Sequence, residues 1–170
     1  MKKAIFSVAL VIVMVLAMTA CGGSSAKIYA GFYSCELPEG FTVTDEYECS
    51  FERESEAYPG YEESIDVSVH MGSAEDEIVR SLEYWGEDHN RVDDVTYGGI
   101  TWKVETFTWN DDAPSCTLYT DTEDGNYIEI NFFMLAYDSE EVVSMMETFT
   151  FEEGAYDKNY DFYMGVMEQE

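Results

Sequence analysis

Ile65-Asp66-Val67-Ser68-Val69-His70-Met71 is the stretch on which the fold turns. Its apolar residues fall on every odd position, and the even positions carry Asp66, Ser68 and His70. Strict alternation of this kind makes a β-strand with one face in a core and the other among polar groups. The pattern then changes period. Ser73 is a helix-capping residue with Asp76 three positions on, and Glu75 complements the helix dipole. Ile78, Leu82 and Trp85, with Val79 beside them, recur at helical spacing, so a helix is expected from Ser73 to the neighbourhood of Gly86–Asn90.

Working outward, residues 28–51 read as two strands around the Pro38-Glu39-Gly40 turn. Phe41 and Val43 alternate with Thr42 and Thr44, and Tyr47, Cys49 and Phe51 with Glu48 and Ser50. Residues 52–63 are polar, with Tyr58-Pro59-Gly60-Tyr61 as a loop. Residues 92–109 are strand material punctuated by Gly98-Gly99. Ile100, Trp102 and Val104 alternate, then the phase shifts to Phe107 and Trp109. A bulge near Glu105 accounts for that, and so does a strand buried on both faces. Residues 110–114 read as a loop, 116–120 as a strand and Glu123-Asp124-Gly125-Asn126 as a hairpin turn. In residues 127–135, Ile128, Ile130, Phe132 and Met134 share one face. Asp138-Ser139-Glu140-Glu141 opens a second helix with Val142, Met145, Met146 and Phe149 as its apolar stripe. Phe149 and Phe151 also suit a short strand. Tyr156, Tyr160, Tyr163 and Met167 are spaced for a third helix, although Gly165 interrupts it, and the acidic end is expected to fray. The expected class is α+β: an antiparallel sheet flanked by two or three helices.

Composition bounds the function. The chain has 36 acidic and 8 basic residues, a net charge of −28. That excludes nucleic acid as a partner, because phosphate contacts need Lys and Arg. It also disfavours direct docking on anionic lipid. The chain is nevertheless 46% hydrophobic and 15% aromatic, enough for a packed core beneath a solvated acidic surface.

The first 20 residues read as an export signal. Lys2 and Lys3 are a positive start, residues 4–17 are uncharged and almost wholly apolar, and Thr19-Ala20 are small residues directly before Cys21. This resembles the bacterial lipobox, with Met18 where leucine is commonest. The resemblance implies a diacylglyceryl group on Cys21 and cleavage before it. Two chains suffice for stable anchoring. An uncleaved anchor of 17 residues, short for a bilayer, and a simple secretory signal are the alternatives. On the lipobox reading residues 21–27 form a lipidated cysteine and flexible tether, residues 28–152 the domain, and residues 153–170 an acidic, Tyr-rich segment. The protein would then sit on the outer face of the bacterial cytoplasmic membrane. Loss of Lys2 and Lys3 takes the net charge of the mature chain close to −30.

With Cys21 assigned to lipid, Cys35, Cys49 and Cys116 are left, and export permits disulfides. Three is odd, so at most one pair forms within a chain. Cys35 and Cys49 are the candidate pair, closing a loop of about 15 residues and contributing about 3 kcal/mol. The alternative is three small buried hydrophobes.

The motifs Cys35-Glu36-Leu37-Pro38-Glu39-Gly40-Phe41, the strand at residues 65–71, the helix start at Ser73, Gly98-Gly99-Ile100-Thr101-Trp102 and Gly125-Asn126-Tyr127-Ile128 occur in that order over residues 28–152. The set resembles the PsbP-like family. That resemblance implies an antiparallel sheet flanked by helices, an α/β/α sandwich. It implies functions ranging from scaffolding membrane complexes to binding small regulatory proteins, with no catalytic set to carry over.

Chemistry-bearing motifs are sparse. No nucleophile elbow, metalloprotease spacing or phosphate-binding glycine loop is present. His70 reads as exposed on a polar strand face, and His89 as a cation near a helix C-terminus. Asp121-Thr122-Glu123-Asp124-Gly125 superficially resembles a calcium loop but lacks its register and distal glutamate. Asp93-Asp94 and Asp111-Asp112 can share Ca²⁺ only if folding brings them together. Tyr29, Phe32, Tyr33, Tyr58, Tyr61, Tyr156, Tyr160 and Tyr163 lie in weakly patterned segments, where tyrosines among acids suit a basic partner or a sugar, and core packing is the alternative. The expected function is a non-enzymatic binding or scaffolding module for a basic exported or membrane protein. The alternatives are a small-ligand or Ca²⁺-binding module with no other cofactor, and last an envelope hydrolase.

Overall fold

The alternating stretch at residues 65–71 forms the last seven residues of a ten-residue strand in a computed structural model that describes residues 28–109 and 112–168. The elements are β1 (Ile28–Tyr29), β2 (Tyr33–Ser34), β3 (Thr42–Val43), β4 (Ser50–Glu54) and β5 (Glu62–Met71). Then come helix α1 (Ala74–Trp85), β6 (His89–Tyr97), β7 (Ile100–Trp109), β8 (Ala113–Asp121) and β9 (Asn126–Phe133). Helix α2 (Glu140–Thr148), β10 (Thr150–Phe151) and helix α3 (Ala155–Met167) close the chain. Seven strands form one antiparallel sheet in the order β3-β4-β5-β9-β8-β7-β6, and β1-β2-β10 form a small second sheet. The class is α+β, a sheet flanked by helices.

Register explains the core. Ile65 pairs with Phe132, Val67 with Ile130 and Val69 with Ile128, while Cys116 and Leu118 pair with Phe132 and Ile130. Val104 pairs with Leu118 and Val92 with Val104. All point to one side, where Val142, Met145 and Met146 of α2, with Phe149, close over them. Both helices start as read: Ser73 Oγ accepts the Asp76 amide at 3.2 Å, and Ser139 Oγ the Val142 amide at 3.3 Å. Gly98 has φ +58°, and a Cβ there would lie 2.9 Å from the Met146 carbonyl, so the β6–β7 turn can press on α2 only as glycine. Arg53 ties β4 to α2 through a two-pronged pair with Glu141, at 2.9 and 2.6 Å, and its Nε donates to Glu63 at 2.7 Å.

Several expectations are corrected. Residues 28–51 hold four short strands rather than two, and Tyr47 lies in a turn. Asp45 accepts the amides of Cys49 and Ser50 at 2.9 and 3.0 Å, closing that turn before β4 starts at Ser50. No bulge occurs at Glu105. The irregularity is on β6, between Val92 and Val95, and β7 is continuous with β8 and carries side chains into packing on both faces. Ala113 and Pro114 belong to β8, with Pro114 opposite Thr108. Val79 and Trp85 are exposed, so the apolar face of α1 narrows to Ala74, Ile78 and half-buried Leu82. Helix α3 runs through Gly165, but its inner stripe is one residue earlier than expected. Ala155, Asn159 and Phe162 face inward, where Asn159 donates to the Ala30 carbonyl at 3.2 Å and Phe162 lies against Gly31. Tyr160 and Tyr163 are exposed. No helix among the described residues is long and apolar enough to cross a membrane. The signal, Cys21 and the tether at residues 1–27, with Asn110, Asp111, Gln169 and Glu170, lie outside the described residues.

Candidate ligand cleft beside the first helix

Alternation gives each strand a second row of side chains, opposite the core. On β7 that row is Glu105, Phe107 and Trp109, on β8 Thr117 and Tyr119, and on β9 Tyr127, Glu129, Asn131 and Phe133. Helix α1 crosses one half of this face, with Ala74 and Ile78 packed on Tyr119 and Tyr127. The other half stays open. Between it and the end of α1 lies a hollow of about 560 Å³.

Its inner wall is built on a buried carboxylate. Glu105 is 1% exposed. It accepts the Ser81 hydroxyl at 2.6 Å and the Tyr119 hydroxyl at 3.1 Å, and is bonded to His89 Nδ1. A buried carboxylate is tolerated only with such partners. Burial first, and then the Glu105 charge, pushes the Tyr119 phenol well above its ordinary range, so it stays a donor. A carboxylate on Nδ1 favours the tautomer with its proton there, leaving Nε2 as the open nitrogen. The imidazole is also clamped by rings: Trp85 stacks on it at 5.3 Å and Phe107 at 4.6 Å, both nearly parallel.

The outer wall is aromatic. Phe133 meets Phe107 at 5.9 Å and Trp109 at 5.4 Å, in both cases edge to face. Trp85 and Trp109 are 53% and 47% exposed although they flank a concavity. The floor is polar and pre-tied: Thr117 donates to Asn131 Oδ1, and Asn131 donates to Glu129, each at 2.8 Å. Glu77 sits at the α1 rim, taking the Tyr127 hydroxyl at 3.0 Å and pairing with Arg80. The side chains thus offer an apolar stacking surface, fixed acceptors and negative charge within one small volume.

The residues singled out from sequence fare differently. His89 does follow a helical turn, Gly86–Asp88, with its amide donating to the Gly86 carbonyl, and it also opens β6 and becomes a wall of the cleft. His70 is exposed on the polar face as read, with Nε2 2.9 Å from Ser68 Oγ and 3.9 Å from Glu129. Cys35, Cys49 and Cys116 are free thiols, so the bridge considered for Cys35 and Cys49 is absent. Cys35 and Cys116 are buried and Cys49 is half-buried, its Sγ directed to the Tyr47 carbonyl. Burial pushes Cys35 and Cys49 up to about 12, and Cys116 upward as well.

Two of the three acids of the acidic turn, Asp121 and Asp124, are spent on protein contacts. Asp121 accepts the Ala74 amide at 2.7 Å and Lys103 at 2.5 Å, and Asp124 takes the Thr122 hydroxyl. A hollow of about 690 Å³ lies beside that turn, with Glu123, Glu152 and Glu153 around it. Among the described residues no group of three or more His, Cys, Asp or Glu side chains is placed to hold a metal ion. Asp94 pairs with Arg91. Of the tyrosine set, Phe32 and Tyr33 are core, Tyr29 packs edge-on to Phe51, and Tyr61, Tyr160 and Tyr163 are exposed.

No protein-family model matches the chain, and no curated protein does. Among solved structures it is similar to a protein from Bacteroides thetaiotaomicron, with 14% identity and a TM-score of 0.42. The match covers 74% of this chain, which spans about half (47%) of that protein's length.

Proposed function

We propose that the chain is an exported lipoprotein, held by Cys21 on the outer face of the bacterial cytoplasmic membrane. It works there as a non-enzymatic binding module, and the cleft beside α1 is its binding element. The anchor rests on the lipobox-like sequence around Cys21.

The observation that carries the binding role is the concavity itself. Trp85 and Trp109 expose large apolar surface into a hollow whose polar groups are already fixed by one another. Exposed apolar surface at a concave, pre-ordered site is what a binding pocket requires, and about 560 Å³ suits a small ligand rather than a flat protein face. Side chains tied before binding lose little entropy when the ligand arrives.

The scaffolding reading, for a basic exported or membrane protein, draws on the acidic surface instead. Its signature is association that weakens as salt rises, because screening acts over about 8–10 Å at physiological ionic strength.

Thermal unfolding of the full-length lipoprotein against a panel of small solutes tests the cleft. A solute that raises the melting temperature of the wild type, and fails to do so for Trp109→Ala/Phe133→Ala, is the expected result. A panel in which no solute stabilises, or in which stabilisation survives that double change, defeats it. Separately, Cys21→Ala should abolish lipid labelling and leave the precursor unprocessed; normal maturation of that variant defeats the anchor.

A further inference from the structure

We propose that the cleft recognises an alkylated ammonium group carried by a small solute. The inference rests on the cleft being the binding element and names the chemistry it selects.

Charge comes first. Glu77, Asp88 and Glu129 line the hollow, and no Lys or Arg among the described residues does. An anionic ligand is therefore repelled. Among the described residues no Lys or Arg is left to offer. Each described Lys and Arg is already committed: Arg53 to Glu63 and Glu141, Arg80 to Glu77, Arg91 to Asp94, Lys103 to Asp121, and Lys158 to Glu152. Glu129 stands apart. Its side chain is only 19% exposed, one oxygen is taken by Asn131, and the other has His70 at 3.9 Å as its nearest basic group. A half-buried carboxylate in that position is strongly complemented by a cation brought in by a ligand.

The walls decide which kind of cation. Phe133 stands nearly perpendicular to both Phe107 and Trp109, so these rings form a corner, and Trp85 lines the same hollow from α1 with the His89 imidazole stacked on it and on Phe107. Aromatic faces attract a cation through their quadrupole, and they favour one wrapped in methyl or methylene groups, which gains by burial as well. A divalent metal ion needs several convergent oxygen ligands, which aromatic walls do not supply. A sugar stacks on the rings but leaves the Glu129 charge uncompensated.

The test is calorimetric titration of the full-length lipoprotein in non-ionic detergent with choline. The control is dimethylbutanol, the neutral carbon isostere of choline. Choline should bind saturably and weaken as NaCl is added, with the isostere at least about tenfold weaker. Trp109→Ala and Glu129→Gln should each lower choline affinity about tenfold. Both sites are peripheral to the core, and unchanged melting temperatures without ligand confirm that both variants fold. Equal affinity for choline and its isostere overturns the proposal, as does choline binding untouched by both substitutions. Maltose serves as a third arm: cleft-dependent binding of maltose with none of choline overturns the ammonium assignment and leaves the cleft standing. No binding by any of the three overturns the ammonium assignment, and the solute panel then judges the cleft alone.

Discussion

The two faces of the seven-stranded sheet are made by the same strands, residue by alternate residue, and they end differently. On one face Trp102, Val104, Leu118, Ile130 and Phe132 are wholly buried under α2 and its neighbours. On the other, α1 covers Tyr119 and Tyr127 and leaves Phe107, Trp109 and Phe133 beside an open hollow. The first face is finished by the chain itself. The second has the same appetite for apolar contact and is only half supplied. Stability is concentrated on one side of the sheet and unspent binding surface on the other.

Adjacent residues on β9 put this contrast at greatest risk. Phe132 points into the core at 0% exposure, and Phe133 to the cleft. Phe132→Ala should cost about 3–5 kcal/mol in denaturant unfolding, from lost burial plus the cavity left behind. Phe133→Ala should cost about 1 kcal/mol or less, as at partly exposed sites, while removing the cleft's corner. Equal costs would mean that both faces are core and that the hollow is incidental.

The two buried acids sharpen the contrast at smaller amplitude. Glu63, on the closed side, is bound to Arg53 and to the Ser55 hydroxyl. Glu105, on the open side, has hydroxyl partners and His89. Arg53→Met strands a buried charge and should cost about 3 kcal/mol. Glu105→Ala strands neutral donors and should cost about 2 kcal/mol. Acid adds a check of sign. The Arg53 guanidinium holds Glu141 below the ordinary carboxylate range. Its contribution is therefore full above the unfolded-state value and is lost as pH falls through the folded one. Arg53→Met should abolish that part of the acid sensitivity, and Glu105→Ala should leave it in place.

Much of the closed face was legible in the sequence, because it is written locally. The alternation at residues 65–71, the capping serines Ser73 and Ser139, and the stripe Val142, Met145, Met146 and Phe149 each need only a short window. The cleft was not legible, because its key pair depends on register. Counting back from the Tyr97–Ile100 pair sets His89 opposite Thr108, on the other side of the sheet from Glu105. The shift between Val92 and Val95 moves it opposite Phe107 instead, and so onto the Glu105 side. One extra residue in β6 thus makes the histidine at the end of a helical turn a cleft wall as well. The available hint was Glu105 in a row with Phe107 and Trp109, one acid among 36. The stripe on α3 slipped by one for a comparable reason. Gly31 admits the Phe162 side chain closely, and that contact, distant in sequence, sets the helix rotation.

The smallest effect isolates where the two faces are coupled. Ser73 and Ser139 cap α1 and α2 in the same way, so Ser73→Ala and Ser139→Ala should each cost about 1 kcal/mol. Their consequences should diverge. Helix α2 buries Val142, Met145 and Met146 and is fixed by the core whether capped or not. Helix α1 buries only Ala74 and Ile78, both in its first two turns, and its later turns carry Ser81 and Trp85 to the cleft. Losing its cap should raise amide exchange along α1 and weaken cleft binding, because the groups that meet the ligand must then be ordered by it. Ser139→Ala should leave both readouts at wild-type values. If the two substitutions prove indistinguishable, α1 is held by the sheet as firmly as α2, and the open face owes its hollow to shape alone rather than to a lightly anchored helix.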